Sequence, residues 1–179
     1  MRLTTDGLII REQHIGENDR LITILTRQRG LVRAFASGSR RLKSRIASAT
    51  QLLCYSQFTL FRSKDTYRVD EAQAIEVFFR LRSDMEKLGL AQYFCELAAA
   101  FAPEEDAADD FLRLLLNGLH FLAKGERPAP LLKAVIELRL LTMAGYMPDL
   151  TACQQCGQFE GEEMFFDYTS GLLWCKEHR

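Results

Sequence analysis

The chain has 179 residues, of which 47% are hydrophobic and 26% are charged. This composition is that of an ordinary globular protein and excludes the disordered and fibrous classes. No apolar run approaches the roughly 18 to 20 uncharged residues that cross a bilayer, and the start does not read as a secretory leader. We therefore expect a cytoplasmic protein with more than one domain.

The net charge of −1 conceals two halves of opposite sign. Residues 1–70 contain thirteen Lys and Arg against six Asp and Glu, a balance of +7, whereas residues 71–179 contain ten against eighteen, a balance of −8. A basic half favours a polyanionic partner, because each phosphate that it neutralises releases condensed counterions. The alternative is a solvated, arginine-rich surface without a partner.

Five short strands are predicted before residue 77, over residues 7–15, 21–26, 31–36, 52–62 and 67–72, separated by turn-forming residues. In the third strand, residues 31, 33 and 35 form a large, partly charged face and residues 32, 34 and 36 a small apolar one, as in a barrel wall. Ser63-Lys64-Asp65-Thr66 is a connection of hairpin length. The pattern predicts an OB-type barrel over residues 1–77, although an SH3-like barrel would have a similar strand count.

From about Val77 the hydrophobic period changes from two towards 3.6, which predicts packed helices over residues 78–150. Apolar stripes run through residues 78–88, 90–101 and 111–122. The acidic loop 103–110 leads into the third helix, where carboxylates favour the positive end of the helix dipole. A fourth helix is expected to begin at Pro128 and Pro130 and to stop at Gly145 and Pro148. The predicted class is α+β, with a barrel followed by a helical domain.

Two close pairs of metal ligands mark residues 151–179, which we predict to be a zinc-ribbon-like module. Cys153 and Cys156 form the first pair, and Cys175 and His178 form the second after eighteen intervening residues. This spacing is typical of a structural zinc site, and a hairpin within residues 165–173 would bring the pairs together. Four protein ligands leave no position for a reactive water. The alternatives are free thiols, or disulfides, which a reducing cytoplasm disfavours.

A basic segment separates the third and fourth predicted strands and places four cations within six residues. Arginine forks, lysine ammonium groups and interleaved serine hydroxyls can follow a phosphate backbone. The residues that we predict to contact DNA are Arg40, Arg41, Lys43 and Arg45, with Arg29 and Arg33 extending the patch. The aromatic residues Phe35, Tyr55, Phe58 and Tyr67 could stack on bases, although barrel cores need such side chains more often. Cys54 and Cys95 lie in apolar surroundings and are interpreted as core residues.

The sequence has no recognisable catalytic motif. It contains neither a phosphate-binding loop ending in Lys-Ser or Lys-Thr, nor His-Glu-x-x-His, nor His-x-Glu before the Cys pair. Its three histidines, His14, His120 and His178, fall in a predicted turn, a helix and the metal site. We therefore expect no enzymatic activity.

Four segments in a fixed order carry a resemblance to a known family. They are the opening Asp6-Gly7-Leu8-Ile9-Ile10, the turn Gly16-Glu17-Asn18-Asp19-Arg20-Leu21, the run Gly38-Ser39-Arg40-Arg41-Leu42-Lys43-Ser44, and the late Cys pairs. In this order and spacing the chain resembles the bacterial RecO family of DNA repair proteins. Members of that family usually continue with a further helix beyond the metal module, and those with a metal commonly have Cys where this chain has His178.

The resemblance implies an OB fold, a helical domain and a zinc module in a cytoplasmic, nucleoid-associated protein. It also implies binding of single- and double-stranded DNA, strand annealing, and help in loading RecA on DNA covered by single-stranded DNA-binding protein. The implied protein partners are RecR, single-stranded DNA-binding protein and, indirectly, RecA. The alternative is a non-enzymatic adaptor whose barrel binds acidic peptide tails.

Overall fold

The computed structural model describes residues 2–63 and 66–179. Its elements are β1 Arg2–Ile15, β2 Asp19–Thr26, β3 Gly30–Ala36, β4 Cys54–Ser63, β5 Thr66–Val77, α1 Phe79–Arg82, α2 Met85–Phe101, α3 Asp109–Lys124, α4 Ala129–Met143, β6 Met164–Asp167 and β7 Leu172–Cys175. They form two compact units, Met1–Leu140 and Leu141–Arg179. None of the described helices has the length and apolar character needed to cross a membrane.

The first five strands close into a barrel in the order β1-β2-β3-β5-β4. Strands β3 and β5 run parallel, with Ala34 opposite Tyr67, whereas the other neighbours pair antiparallel and β4 closes the ring against β1. This order is that of an OB-type Greek-key barrel. The predicted fold class, α+β with an amino-terminal barrel, is therefore confirmed.

The barrel interior is filled by alternate residues of its strands. Ile22 and Ile24 of β2 and Phe58 and Leu60 of β4 are completely buried, and Val32, Ala34 and Ala36 line β3 from the inside. Each large apolar side chain that is fully buried contributes about 1.5–3 kcal/mol to folding. The predicted inner and outer faces of the third strand are confirmed.

Two strands are longer than the sequence predicted. Strand β1 begins at Arg2, and β5 continues to Val77, because backbone pairing with β4 extends both. The added segments are mostly polar or exposed and so lack the apolar alternation that marks a strand. The predicted hairpin connection includes Lys64 and Asp65, which lie outside the described residues; its flanking residues Ser63 and Thr66 pair antiparallel.

The predicted stripe through residues 78–88 is not one helix. Helix α1 ends at Arg82, and the Asp84 carboxylate then accepts the N–H groups of Glu86 and Lys87 as the N-cap of α2. A side chain that captures free N–H groups in this way starts a new helix. The apolar spacing that predicted one helical stripe over residues 78–88 therefore combines residues of two separate helices. Cys54 and Cys95 are both buried, as predicted, and burial raises the pKa of Cys95 to about 12.

The connection between α2 and α3 is hydrogen-bonded to the barrel. The Leu31 N–H donates to the Pro103 carbonyl at 2.9 Å, and the Ala108 N–H donates to the Arg27 carbonyl at 3.0 Å. Asp109, predicted to belong to the acidic loop before the third helix, lies in the first turn of α3 and forms an ion pair with Arg27. Barrel and first helices thus share one compact unit, while the division into domains at 1–77, 78–150 and 151–179 stays a prediction.

Helix α4 ends at Met143, and Gly145 follows with a positive φ of 84°, close to the predicted stop. In the second unit, β6 and β7 form an antiparallel hairpin in which Phe165 lies opposite Trp174. This hairpin confirms the one predicted between the two ligand pairs.

We expect Gly30→Ala to destabilise the protein by about 3 kcal/mol or more. Gly30 has a φ of 53°, which costs other residues about 1–2 kcal/mol, and a Cβ there would lie 1.9 Å from the Pro103 carbonyl oxygen. Gly16→Ala is the matched control, because its φ of 57° is similar but its Cβ would meet nothing within 4 Å. Urea denaturation measures the free energy of unfolding of both variants. Equal losses of stability would show that the Pro103 carbonyl does not approach Gly30 closely.

Candidate nucleic-acid interface and metal centre

The predicted DNA-binding segment lies in a loop built from successive tight turns, here called the basic loop, residues 37–50. The Arg41 N–H donates to the Gly38 carbonyl at 3.2 Å, and the Ser44 N–H donates to the Arg41 carbonyl at 3.0 Å. Arg41, Lys43 and Arg45 are all exposed. The loop therefore presents its cations on a backbone that is hydrogen-bonded to itself.

A buried arginine holds the basic loop from inside the barrel. The Arg20 side chain on β2 is only 10% exposed, and its Nη1 donates to the Ala47 carbonyl at 3.0 Å, the Thr50 hydroxyl at 3.0 Å and the Ser39 carbonyl at 3.4 Å. Its Nε lies 3.9 Å from the Glu12 carboxylate. A buried guanidinium is tolerated only when such acceptors surround it. Arg20 thus fixes three points of the loop at once.

The turn between β1 and β2 supports the same loop from its side. The Asp19 carboxylate accepts the Gly38 N–H at 2.7 Å, and the Asn18 carbonyl accepts the Arg40 N–H at 2.9 Å. The Arg40 guanidinium donates to the carbonyls of Glu17 at 3.1 Å and Gly16 at 3.4 Å. Arg40 therefore uses part of its donor capacity within the protein, unlike the exposed cations beyond it.

The six predicted DNA contacts occupy three places along β3. Arg40, Arg41, Lys43 and Arg45 follow its end, Arg33 is exposed near its middle, and Arg29 precedes its start. A strand of seven residues spans about 20 Å, so Arg29 does not belong to the same cluster as the basic loop. The Glu105 carboxylate lies 3.8 Å from Arg29 and 3.8 Å from Arg62. These contacts with DNA stay predictions.

Arg33 lines a cavity of about 350 Å³ on the barrel, together with Arg11, Tyr67, Glu104 and Glu105. Its walls carry both charge signs, so it does not form a continuous cationic groove. Phe58 is completely buried, and Tyr67, which is only 7% exposed, has the Arg62 guanidinium over its ring at 5.6 Å, so neither offers an open face to a base. The Tyr55 hydroxyl donates to Asp6. The structure therefore places two of the four candidate stacking residues in the core.

The roles of Asp19, Arg20 and Thr50 were missed by sequence reasoning. Residues 16–21 carry part of the family resemblance, but no local sequence pattern distinguishes a buried arginine from a solvated one. The available signal was a charged pair, Asp19-Arg20, placed directly at the start of an apolar strand. Such a pair needs partners if its strand is buried.

The four predicted metal ligands meet in the second unit. The ligand atoms of Cys153, Cys156, Cys175 and His178 all lie within 4.8 Å of one another. The Cys156 and Cys175 sulfurs are 3.7 Å apart, and the His178 Nδ1 lies 3.1 Å from the Cys175 sulfur. Sulfurs bound tetrahedrally at about 2.3 Å would be separated by about 3.8 Å. The cluster could therefore hold a metal ion.

Backbone turns aim both ligand pairs at this point. The Gly157 N–H donates to the Cys153 carbonyl at 2.8 Å, and the His178 N–H donates to the Cys175 carbonyl at 3.1 Å. Backbone N–H groups, that of Cys156 above all, lower the pKa of the Cys153 thiol to about 6 against the opposing effect of burial. A thiol that ionises readily is a better metal ligand, because the thiolate is the binding form.

A closed OB-type barrel with an ordered basic loop, followed by helices and a Cys3His cluster, defines a modular α+β protein of the nucleic-acid-accessory class. Comparison with protein families agrees with this class. The model described as "Recombination protein O N terminal" matches residues 1–78, and "Recombination protein O C terminal" matches residues 82–179. The chain belongs to the RecO family.

Individual relatives are similar over nearly the whole chain. The DNA repair protein RecO of Acetivibrio thermocellus is 39% identical over 98% of this chain and 70% of its own length. Those of Alkaliphilus metalliredigens and Symbiobacterium thermophilum are 32% and 39% identical, over 99% and 94% of this chain and 72% and 68% of their own lengths. These findings confirm the resemblance. They also confirm a non-enzymatic function as a recombination mediator in DNA repair.

We expect Arg20→Met to lower the free energy of unfolding by about 2–4 kcal/mol, because two carbonyls and a hydroxyl lose their buried donor. Hydrogen exchange of residues 38–50 should accelerate more than that of the barrel strands. Arg40→Met is the control, since Arg40 is exposed and should cost less than about 1 kcal/mol. Unchanged exchange in the basic loop of Arg20→Met would show that Arg20 does not organise it.

Proposed function

We propose that the basic loop holds the phosphate backbone of single- and double-stranded DNA. The observation that carries this proposal is a fixed loop backbone combined with three exposed cations, Arg41, Lys43 and Arg45. Within residues 2–63 and 66–179, none of the three has a carboxylate within ion-pairing distance. A preorganised backbone loses less conformational freedom on binding, so more of the electrostatic attraction appears as affinity.

The same contacts of the basic loop with phosphates would also support strand annealing and the role of a recombination mediator. Two complementary strands repel each other through their phosphates, and protein cations that replace condensed counterions reduce this repulsion. Phosphate contacts carry no sequence information, as annealing at any sequence requires. We further propose that the protein helps to load RecA on DNA covered by single-stranded DNA-binding protein, with RecR as a second partner. Family membership supports these partners.

The other predicted DNA contacts differ in whether their guanidinium groups already have partners within the protein. Arg33 is exposed and has no carboxylate within ion-pairing distance among the described residues. Arg29 would have to break its ion pair with Glu105, which also pairs with Arg62, before it could bind a phosphate. The Arg40 guanidinium already donates to two carbonyls. We therefore place the primary DNA contact at residues 41–45, with Arg40 and Arg33 as secondary contacts and Arg29 as the weakest.

We expect replacement of Arg41, Lys43 and Arg45 together by Ala to weaken binding of a single-stranded oligonucleotide by about tenfold to a hundredfold. Each lost phosphate contact should also reduce the log-log salt slope by about 0.7, or about 2 for all three. Fluorescence anisotropy of a labelled oligonucleotide, titrated at several salt concentrations, measures both quantities.

The matched control replaces Arg80, Arg113 and Arg127 by Ala, which changes the net charge equally at exposed helical or loop positions. An equal loss of affinity in the control would mean that overall charge, not the basic loop, attracts DNA. If binding did not depend on oligonucleotide length and an acidic peptide competed fully, the adaptor function would replace the present one, because backbone binding needs several phosphates.

We also propose that the Cys3His cluster binds one Zn²⁺ ion. Three thiolates and one imidazole nitrogen form a soft donor set that suits zinc, and the separations of 3.1–3.8 Å between neighbouring ligand atoms fit one ion. Four protein ligands give a closed site, so zinc would supply folding stability to residues 141–179 and no catalysis.

Purified protein is expected to contain about one zinc per chain, and replacement of Cys153 and Cys156 by Ser should abolish binding, because two of four ligands are lost. Metal analysis gives the stoichiometry, and hydrogen exchange should accelerate within residues 151–179 while the barrel stays protected. Cys95→Ala removes a core thiol instead and should keep the ion. Retention of zinc by the double variant would assign the metal to other ligands.

A further inference from the structure

Leu42 is the most exposed large apolar side chain in the described part of the chain, with a relative exposure of 106%. Single exposed leucines are common and carry little meaning by themselves. The position of this leucine is what distinguishes it, because it lies inside the basic loop with Arg41 before it and Lys43 after it.

The exposure of Leu42 follows from an ordered turn. The hydrogen bond from the Ser44 N–H to the Arg41 carbonyl makes Leu42 and Lys43 the two central residues of a four-residue turn. The preceding turn, closed by the Arg41 N–H on the Gly38 carbonyl, directs Ser39 inward, where it is completely buried. The supports from Arg20 and Asp19 fix the base of these turns. The loop thus holds an apolar side chain outward at its tip.

The surrounding charges restrict what can cover this leucine. A partner surface that buries Leu42 also meets the exposed cations Arg41, Lys43 and Arg45, so an apolar protein surface would have to desolvate them without compensation. Nucleic acid offers both features together, because negative phosphates alternate with the apolar faces of bases. In a continuous duplex these faces are stacked on each other, whereas in single strands and at strand ends they become accessible.

We propose that Leu42 packs against unstacked DNA bases while the neighbouring cations hold the phosphates. This proposal rests on the proposed function of the basic loop and adds a specificity-determining residue to it. Leucine is among the apolar side chains that pack against bases where a base step is open. Opening a step of a paired duplex costs free energy, and bases that are already unstacked avoid this cost. Leu42 therefore gives the loop a preference for single-stranded DNA over uninterrupted duplex, which charge alone does not provide.

The test compares Leu42→Ser with Leu42→Met and with Leu131→Ser, which alters an exposed leucine on α4 outside the loop. Anisotropy titrations use a single-stranded oligonucleotide and its duplex at several salt concentrations. We expect Leu42→Ser to weaken single-strand binding by about fivefold to tenfold and duplex binding by less than about twofold, with an unchanged salt slope. Leu42→Met, which keeps the apolar volume, and Leu131→Ser should bind like the unaltered protein.

A second measurement reports on the bases themselves. The fluorescence of 2-aminopurine placed between adenines in the single strand is quenched by stacking. It should rise when the unaltered protein binds and should not rise with Leu42→Ser at saturation. Equal affinity of Leu42→Ser and the unaltered protein, or equal weakening on single strand and duplex, would overturn the proposal. A reduced salt slope would also overturn it, because Leu42 would then only position the cations.

These outcomes separate the two proposals. If Leu42→Ser has no effect but the triple cation variant loses DNA, the loop is the phosphate site and Leu42 is not in contact with bases. If the triple variant binds normally and Leu42→Ser also binds normally, both proposals fail together.

Discussion

The buried guanidinium of Arg20 is the group around which the basic loop folds. A loop without helix or strand has few hydrogen bonds of its own to define its shape, and this one takes its shape from a barrel residue that donates to Ser39, Ala47 and Thr50. A buried cation close to exposed cations is electrostatically unfavourable, and the nearby Glu12 carboxylate offsets part of that repulsion. The orientation of the exposed loop cations thus depends on a buried cation of the barrel.

The features that the sequence predicted correctly are those encoded by neighbouring residues. The alternation along β3 follows from a period of two, and the clustering of Cys153, Cys156, Cys175 and His178 follows from two close pairs, each within a single turn. That this cluster binds zinc stays a prediction. The barrel itself also followed, because five strands in so short a chain can bury their apolar faces in few ways.

The features that escaped prediction depend on partners far away in the chain. Arg29 and Arg20 look equally basic in the sequence, yet one pairs with Glu105 on the α2–α3 connection and the other is enclosed by a loop 19 to 30 residues later. The break at Asp84 was missed for a different reason. Its capping signal is local, but the apolar spacing on both sides continues through it and obscures the boundary.

The segregation of charge between the two halves also has a different meaning once the fold is known. Some acidic residues of the second half form ion pairs with the barrel. Glu105 lies beside Arg29 and Arg62, and Asp109 pairs with Arg27. These contacts pair cations at one end of β3, whereas Arg41, Lys43 and Arg45 beyond its other end have no carboxylate within ion-pairing distance among the described residues. Charge counting along a sequence locates a basic half, whereas pairing decides which part of it is available.

The close approach of Gly30 to Pro103 means that the barrel is not structurally independent of the α2–α3 connection that packs against it. The Leu31 N–H at the start of β3 has its acceptor on the α2–α3 connection, and the missing side chain of Gly30 is the space that the connection occupies. Replacing the barrel of this chain by another barrel would therefore require replacing this connection as well, because the Pro103 carbonyl occupies the space beside Gly30. A boundary drawn at the end of β5 would cut the chain without separating these two contacting segments.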